Sequence, residues 1–234
     1  MPLRDAFSTP DAKRRHVRKL FSTIADRYDL ITAVLSYGQD ARWKRTLIAQ
    51  ARVQRGERAL DLACGTGDIA FAAAAQGARV VGLDITHRML QLARQKSNAV
   101  TFLTGDMTSL PFHSQTFDLI TTGYGLRNVP DLTAAIDEMA RVLRPGGRLL
   151  SLDFNRPEAA VVRAAYLSYL AVVGSALGWL LHRDPDTYRY IPESIRRYPG
   201  AAGVATLLAA RGFTAVRAKP LLFGLMTLHS AHRS

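Results

Sequence analysis

A chain of 234 residues with an apolar share of 48% suits one domain that buries a sizeable core and carries a lid or insertion. Its net charge of +12 favours anionic partners, nucleic acid or an acidic leaflet, but most of the cations are arginines scattered along the chain, which a solvated surface explains equally well. The single cysteine, Cys64, excludes an internal disulfide framework and reads as a small side chain filling a strand end, and no metal-ligand spacing is present.

The amino terminus holds basic residues but no apolar core of signal-peptide length before Phe21, so the chain reads as cytoplasmic. Its first ten residues read as a loose arm. From Asp11, a possible cap, Val17, Leu20, Phe21, Ile24 and Tyr28 recur at helical spacing, and two further helical stretches follow, Leu30 to Leu35 and Asp40 to Ala51. Residues 1–55 therefore form a helical cap.

The core, 56–154, opens with Ala59, Leu60 and Leu62, a buried parallel strand, then a glycine turn, then a helix over Ile69 to Ala75. Gly65 and Gly67 let the backbone turn tightly against a ligand, with Thr66 between them and the helix N–H groups facing the same space. The turn also satisfies a G-x-G-x-x-A dinucleotide pattern with Asp84 near the distance of a ribose contact, so an oxidoreductase remains open. The acidic Asp61 ahead of the turn repels a pyrophosphate and suits a ligand with an ammonium or sulfonium group. S-adenosylmethionine carries both.

Strands then alternate with helices: Arg79 to Leu83 ending at Asp84, a helix with Met89 to Lys96, Val100 to Leu103, Thr116 to Thr122, a helix over Leu132 to Leu143, and Arg148 to Phe154 after the stop Arg144-Pro145-Gly146-Gly147. Asp84 and the pair Asp106 and Met107 follow strands, where a ribose and an adenine are held in open sheets of this kind. Residues 155–205 form an insertion containing an uncharged run, Ala164 to Leu181, long enough to raise a membrane span. A lid helix bordering an apolar pocket fits better, because the last strands must return to the sheet. Those strands, Thr214 to Ala218 and Leu222 to His229 within 206–234, are expected as an antiparallel hairpin at the sheet edge, separated by Pro220. The expected fold is α/β: a doubly wound, mainly parallel, seven-stranded sheet with an N-terminal helical cap and a helical lid before the last two strands.

The segments VRKLFSTIADRYDL (Val17 to Leu30), DLACGTGD (Asp61 to Asp68), GLDIT, LPF, GLRNV (Gly125 to Val129), RVLRPGGRLL, DTYRYIPESIRRYP (Asp186 to Pro199) and GLMTLH resemble the quinone C-methyltransferases, a family of class I S-adenosylmethionine-dependent methyltransferases. The resemblance spans nearly the whole chain, and GLRN with YRYIPESI is close to specific. It implies a Rossmann-like fold and S-adenosyl-L-methionine held by Asp61, Gly65, Thr66, Gly67, Asp84, Ile85, Asp106, Met107 and Gly123. The implied acceptor is a polyprenyl quinol, demethylmenaquinol or the benzoquinol precursor of ubiquinone, with another small aromatic or lipid-like acceptor as the alternative. Where the family usually reads YD-x-MN and then a histidine near the tryptophan, this chain has Tyr28-Asp29-Leu30-Ile31-Thr32 and Asp40 before Trp43.

Methylating an aromatic carbon requires a nucleophilic ring, which a quinol becomes when a hydroxyl ortho to the target carbon loses its proton, together with an in-line methyl and a dry site. Arg127 is the first choice to stabilise the phenolate, or else it pins its own loop to a carboxylate. Tyr28 is placed to position the quinol or a water, with Asp29 as the alternative, and Tyr188, Arg189 and Tyr190 are expected in the lid. A substrate with a polyprenyl tail implies peripheral contact at the inner face of the cell membrane through the lid and a basic face of Arg14, Arg15, Arg18, Arg196 and Arg197. A homodimer or a quinone-biosynthesis complex is an open partner class, as is a scaffold role. Nucleic acid is not expected, because no base-stacking motif stands beside Gly123-Tyr124-Gly125.

Overall fold

The computed structural model describes residues 5–184 and 186–234; the first four residues of the arm lie outside them. Seven strands form one sheet: β1 (Arg58–Leu62), β2 (Arg79–Asp84), β3 (Thr101–Thr104), β4 (Phe117–Gly123), β5 (Leu143–Phe154), β6 (Phe213–Leu221) and β7 (Met226–Arg233), in the order β3-β2-β1-β4-β5-β7-β6. β1 to β5 pair in parallel, and β7 runs antiparallel to both β5 and β6. The order reverses between β1 and β4, the switch point at whose carboxyl edge open α/β sheets bind ligands.

Strand residues sort by their period of two. Ala59, Leu119 and Leu150 face a core shared with α3 (Asp40–Ala51), α4 (Asp68–Ala75) and α5 (His87–Lys96), which bring Leu47, Ala70 and Leu90. Leu60, Leu62, Ile120 and Leu149 face the other core, closed by Ile136 and Met139 of α6 (Leu132–Val142) and by Val204 and Leu208 of α9 (Gly200–Ala209). Both faces are therefore covered, and Asp61 shares the α3–α4 side with Ala59.

The cap consists of α1 (Pro10–Ile24), α2 (Tyr28–Leu35) and α3. Thr9 caps α1, not Asp11: its hydroxyl accepts the Ala12 N–H at 3.1 Å, with Pro10 at the first helical position, where a missing N–H costs nothing. The insertion holds α7 (Ala160–His182) and α8 (Tyr190–Arg197). Among the described residues α7 is the one helix long and apolar enough to cross a membrane. Its Tyr166, Leu167, Leu170, Gly174 and Gly178 are buried against the protein, while Val161, Val172, Trp179 and Leu180 are 67–82% exposed. Gly174 is where α7 meets the chain before α8, since a Cβ there falls 3.1 Å from Tyr188 Cβ.

Two boundaries differ from the expected ones. The Arg144-Pro145-Gly146-Gly147 stretch is a bulge inside β5, not a turn before it, with pairing jumping from Phe117↔Leu143 to Leu119↔Arg148 and Gly146 at φ +74°. Pro220 pairs with Thr227 inside β6; the reversal comes later, at Leu222–Gly224, so β7 starts at Met226. An edge strand tolerates proline because one row of its N–H groups needs no partner.

Candidate active site

The glycine turn after β1 puts Ala63, Gly65 and Gly67 at φ +51°, +53° and +90°, folding the backbone back on itself. The Gly65 N–H donates to Asp84 Oδ2 at 2.9 Å and the Thr86 N–H to Asp84 Oδ1 at 2.8 Å, so the carboxylate at the end of β2 fixes the turn while lining the cleft beside it. Each oxygen keeps acceptor capacity for a ligand hydroxyl. Gly67 stands at the amino end of α4, where its carbonyl accepts the Phe71 N–H at 2.8 Å.

Asp61 lies beneath the turn, 1% exposed. Its Oδ1 accepts the Thr121 hydroxyl at 2.7 Å, and its Oδ2 is buried with no partner among the described residues. Burial pushes the carboxyl up to about 7, opposed by the Thr121 hydrogen bond and by the Lys44 ammonium. A buried carboxylate oxygen with nothing to accept fits a cationic ligand.

The cleft at the switch point is lined by Gly65, Asp84, Ile85, Asp106, Met107 and Gly123 among others. A Cβ on Gly123 would stand 2.6 Å from Ile69 Cδ1, and one on Gly105 2.8 Å from Leu83 Cδ1, so Ile69 and Leu83 pack directly on bare backbone at both strand ends. Asp106 is less free than expected. Its Oδ1 accepts the Thr108 N–H and hydroxyl at 2.9 and 2.8 Å, Arg14 of α1 donates its Nε to Oδ2 at 2.6 Å, and the Gly105 N–H is spent on the Asp84 carbonyl at 3.0 Å. These residues fit S-adenosylmethionine: an unsatisfied carboxylate, a carboxylate at a strand end, and an apolar slot floored by glycine.

A second cavity adjoins the first and is lined by Leu20, Ile24, Ile31, Leu35, Phe154 and Ile191, together with Tyr188 and Tyr190. Phe21, Tyr28 and Tyr124 line both cavities. Burial pushes the Tyr28 phenol up to about 12.

Arg127, on the 3₁₀ turn Leu126–Asn128, also lines the apolar chamber. Its Nε lies 3.4 Å from Asp153 Oδ1, its Nη1 donates to Ser194 Oγ at 2.5 Å, and its guanidinium sits 4.9 Å from the centroid of the Phe154 ring. Asp153 also accepts the Arg127 N–H at 3.0 Å; burial pushes its carboxyl up and the Arg127 charge opposes that. The arginine pins its loop and faces the chamber at once.

The structure does not bring the other candidates together. Asp29 is exposed and lines neither cavity: its oxygens accept the Thr66 hydroxyl at 2.7 Å and the Lys96 ammonium at 2.9 Å. Arg189 lines neither cavity and pairs with Asp186. Three of the five arginines of the expected basic face already hold carboxylates, Arg14 with Asp11 and Asp106, Arg196 and Arg197 with Glu193. Cys64 is buried, with burial raising its thiol well above the ordinary range.

Residues that sequence reasoning passed over sit at the junction. Tyr124 donates its hydroxyl to Asp40 Oδ1 at 2.7 Å, Lys44 pairs with Asp40 Oδ2 at 2.6 Å and with Asp68 at 2.9 Å, and Ser194 holds Arg127. The i, i+4 spacing of Asp40 and Lys44 was a readable signal of the ion pair. Their meeting with Tyr124 was not.

A model of the ubiE/COQ5 methyltransferase family matches residues 9–233. The chain is 40% identical over 224 residues to a demethylmenaquinone methyltransferase of Mycobacterium sp. (strain KMS), covering 96% of each. It is 41% identical over 220 residues to a demethylmenaquinone methyltransferase of Thermus thermophilus, covering 92% of this chain and all of the relative. Among solved structures it resembles a SAM-dependent methyltransferase of Thermotoga maritima with a TM-score of 0.66 over 93% of this chain and 100% of the other, at 16% identity.

Proposed function

Because the chain belongs to the ubiE/COQ5 methyltransferase family, we propose that it transfers the methyl group of S-adenosylmethionine to a ring carbon of a polyprenyl quinol, with demethylmenaquinol as the acceptor. The observation that carries this reading is the pair of adjoining cavities, one lined by carboxylates and glycines and one by aliphatic and aromatic side chains, with Phe21, Tyr28 and Tyr124 common to both. A cationic cofactor and an apolar ring meet there. The demethylmenaquinone names of the relatives favour the naphthoquinol head group over the benzoquinol.

When bound, S-adenosylmethionine supplies an electrophilic methyl on a cationic sulfur. Asp61, on the side cavity beneath the turn, would answer that cation, Asp84 the ribose hydroxyls, and Ile85 and Met107 the adenine, with Gly65, Thr66, Gly67 and Gly123 giving the backbone close approach. Asp106 acts at the adenine end, sharing its carboxylate with Arg14. On the acceptor side, Arg127 sets a positive charge beside the ring and favours the phenolate, while Tyr28 fixes the ring against the methyl. The aliphatic walls exclude water, which strengthens every charge inside. The polyprenyl tail leaves toward α7, whose exposed Val161, Val172, Trp179 and Leu180 rest on the lipid surface that holds the substrate.

The test is expression of this chain in cells lacking their quinone C-methyltransferase, followed by mass analysis of the lipid quinones. Restored menaquinone supports the naphthoquinol reading and restored ubiquinone alone moves the assignment to the benzoquinol. Persistence of both demethyl species, with the purified protein binding S-adenosylmethionine, overturns the quinol acceptor.

A further inference from the structure

Tyr124 is the first residue after β4 and stands at φ +60°, in the left-handed region that side chains with a Cβ rarely adopt. Its backbone is held there from both sides. The N–H donates to the Leu152 carbonyl at 2.7 Å, and the carbonyl accepts the Asn128 side-chain amide at 2.7 Å. A strained conformation over-determined in this way serves to aim a side chain. The aim is the junction: the Tyr124 ring lines the cofactor cleft, the apolar chamber and the small side cavity that reaches Asp61 and Thr66.

The phenol does not end in the chamber wall unpaired. Its Oη donates to Asp40 Oδ1 at 2.7 Å, and the other oxygen of Asp40 holds Lys44 at 2.6 Å. Lys44 continues to Asp68 at 2.9 Å, and Asp68 to Lys96 at 3.4 Å, where the side chains are 37–40% exposed. A chain of donors and acceptors thus runs from the chamber to solvent.

We propose that Tyr124 and Asp40 form the proton relay for the acceptor ring. The ring hydroxyl gives its proton to Tyr124 Oη as Tyr124 passes its own to Asp40 Oδ1. The O–H electron pair stays on the ring oxygen and makes the ring carbon nucleophilic, one O–H bond is broken on the ring and re-formed on Tyr124, and Asp40 becomes neutral. After the methyl has moved, the proton on the methylated carbon returns to the ring oxygen and restores the aromatic hydroxyl. Asp40 then releases its proton past Lys44 and Asp68, the one proton that methylation of a quinol by a sulfonium must discharge. Tyr124 is the catalytic residue of the pair and Asp40 the positioning residue that acts through it. Lys44, whose ammonium lies 6.0 Å from the Tyr124 ring centroid, and Tyr28 approach the phenol from the cap and Asp153 from β5, so the pH response belongs to the group and is read against Asp40 variants.

The relay rests on the quinol reading above, and the experiment separates the two. Wild type, Asp40→Asn, Asp40→Glu, Tyr124→Phe and the Asp40→Asn/Tyr124→Phe double variant are assayed on demethylmenaquinol and on a demethyl benzoquinol analogue across pH, with S-adenosylmethionine affinity measured by calorimetry. Asp40→Asn and Tyr124→Phe are each expected to lower kcat by about a hundredfold with cofactor affinity unchanged. The acid-side limb of the kcat profile is lost with them, Asp40→Glu recovers most of the rate, and the double variant is no slower than either single one. An unchanged rate and pH profile in Asp40→Asn overturns the relay. So does a loss of cofactor binding or of the folded state in step with the loss of rate, which makes Asp40 a strut of the cap. A wild type that methylates neither quinol overturns the acceptor reading itself, and the relay with it.

Discussion

Thr66, at the heart of the glycine turn, donates its hydroxyl to Asp29 on the cap at 2.7 Å, and the other Asp29 oxygen holds Lys96 of α5. The second residue of the Tyr28-Asp29 pair is therefore a clasp between the cap and the cofactor loop. Asp29→Ala is expected to raise the KM for S-adenosylmethionine a few-fold and to leave kcat nearly intact, since exposed pairs contribute about 0.2–1 kcal/mol. Steady-state kinetics checks this; a fall in kcat of several orders would return Asp29 to the chemistry.

Removing Arg127 tests structure before catalysis. The buried Asp153 loses its charged neighbour and the Ser194 hydroxyl a donor, so Arg127→Ala is expected to cost about 3–5 kcal/mol of stability. Urea unfolding measures it. Ser194→Ala leaves the ion pair in place and is expected to cost about 1–3 kcal/mol, the penalty of one unsatisfied buried donor. Activity losses in Arg127 variants have meaning only at temperatures where the variant is folded.

Binding of S-adenosylmethionine is expected to tighten as pH rises through about 7 and to release a proton, because Asp61 is raised by burial and its ionised form suits a cation. Calorimetry in buffers of different ionisation enthalpy reads the released proton, and Asp61→Asn removes it. The sign for stability is the opposite. A carboxyl whose folded pKa lies above its unfolded value favours the fold at low pH, and this contribution is lost between about pH 4 and pH 7, through the raised value.

Gly67→Ala is expected to destabilise the fold by about 1–2 kcal/mol from its left-handed backbone alone. The added Cβ also meets Phe71 Cε2 at 2.7 Å, which forces that ring to move. Thermal melts with and without cofactor measure both effects.

The chain has two tryptophans, Trp43 at 6% exposure and Trp179 at 67%. If α7 rests on lipid, vesicles with anionic headgroups shift the emission of Trp179 to the blue, and Trp179→Phe abolishes the shift. Emission unchanged by vesicles places the exposed face of α7 away from the bilayer.

The parts of this molecule legible in sequence are those governed by local rules. The glycine turn, the strand ends carrying Asp84 and Asp106, and the helix periods of the cap follow from backbone geometry within a dozen residues. Asp29 misled because its neighbours, Thr66 and Lys96, come from two other elements; proximity to Tyr28 in sequence says nothing about where adjacent side chains of a helix point. Tyr124 and Asp40 escaped for the same reason, being joined only when the cap folds over the sheet. In sequence Pro220 reads as a break, yet an edge strand absorbs it, and edge status depends on β7 entering between β5 and β6.

Phe21 lines both cavities, and the same helix reaches Asp106 through Arg14. One helix therefore walls two chambers. A cofactor in the first and a ring in the second would share Phe21, and whatever factor in affinity one gains from the other is returned in full.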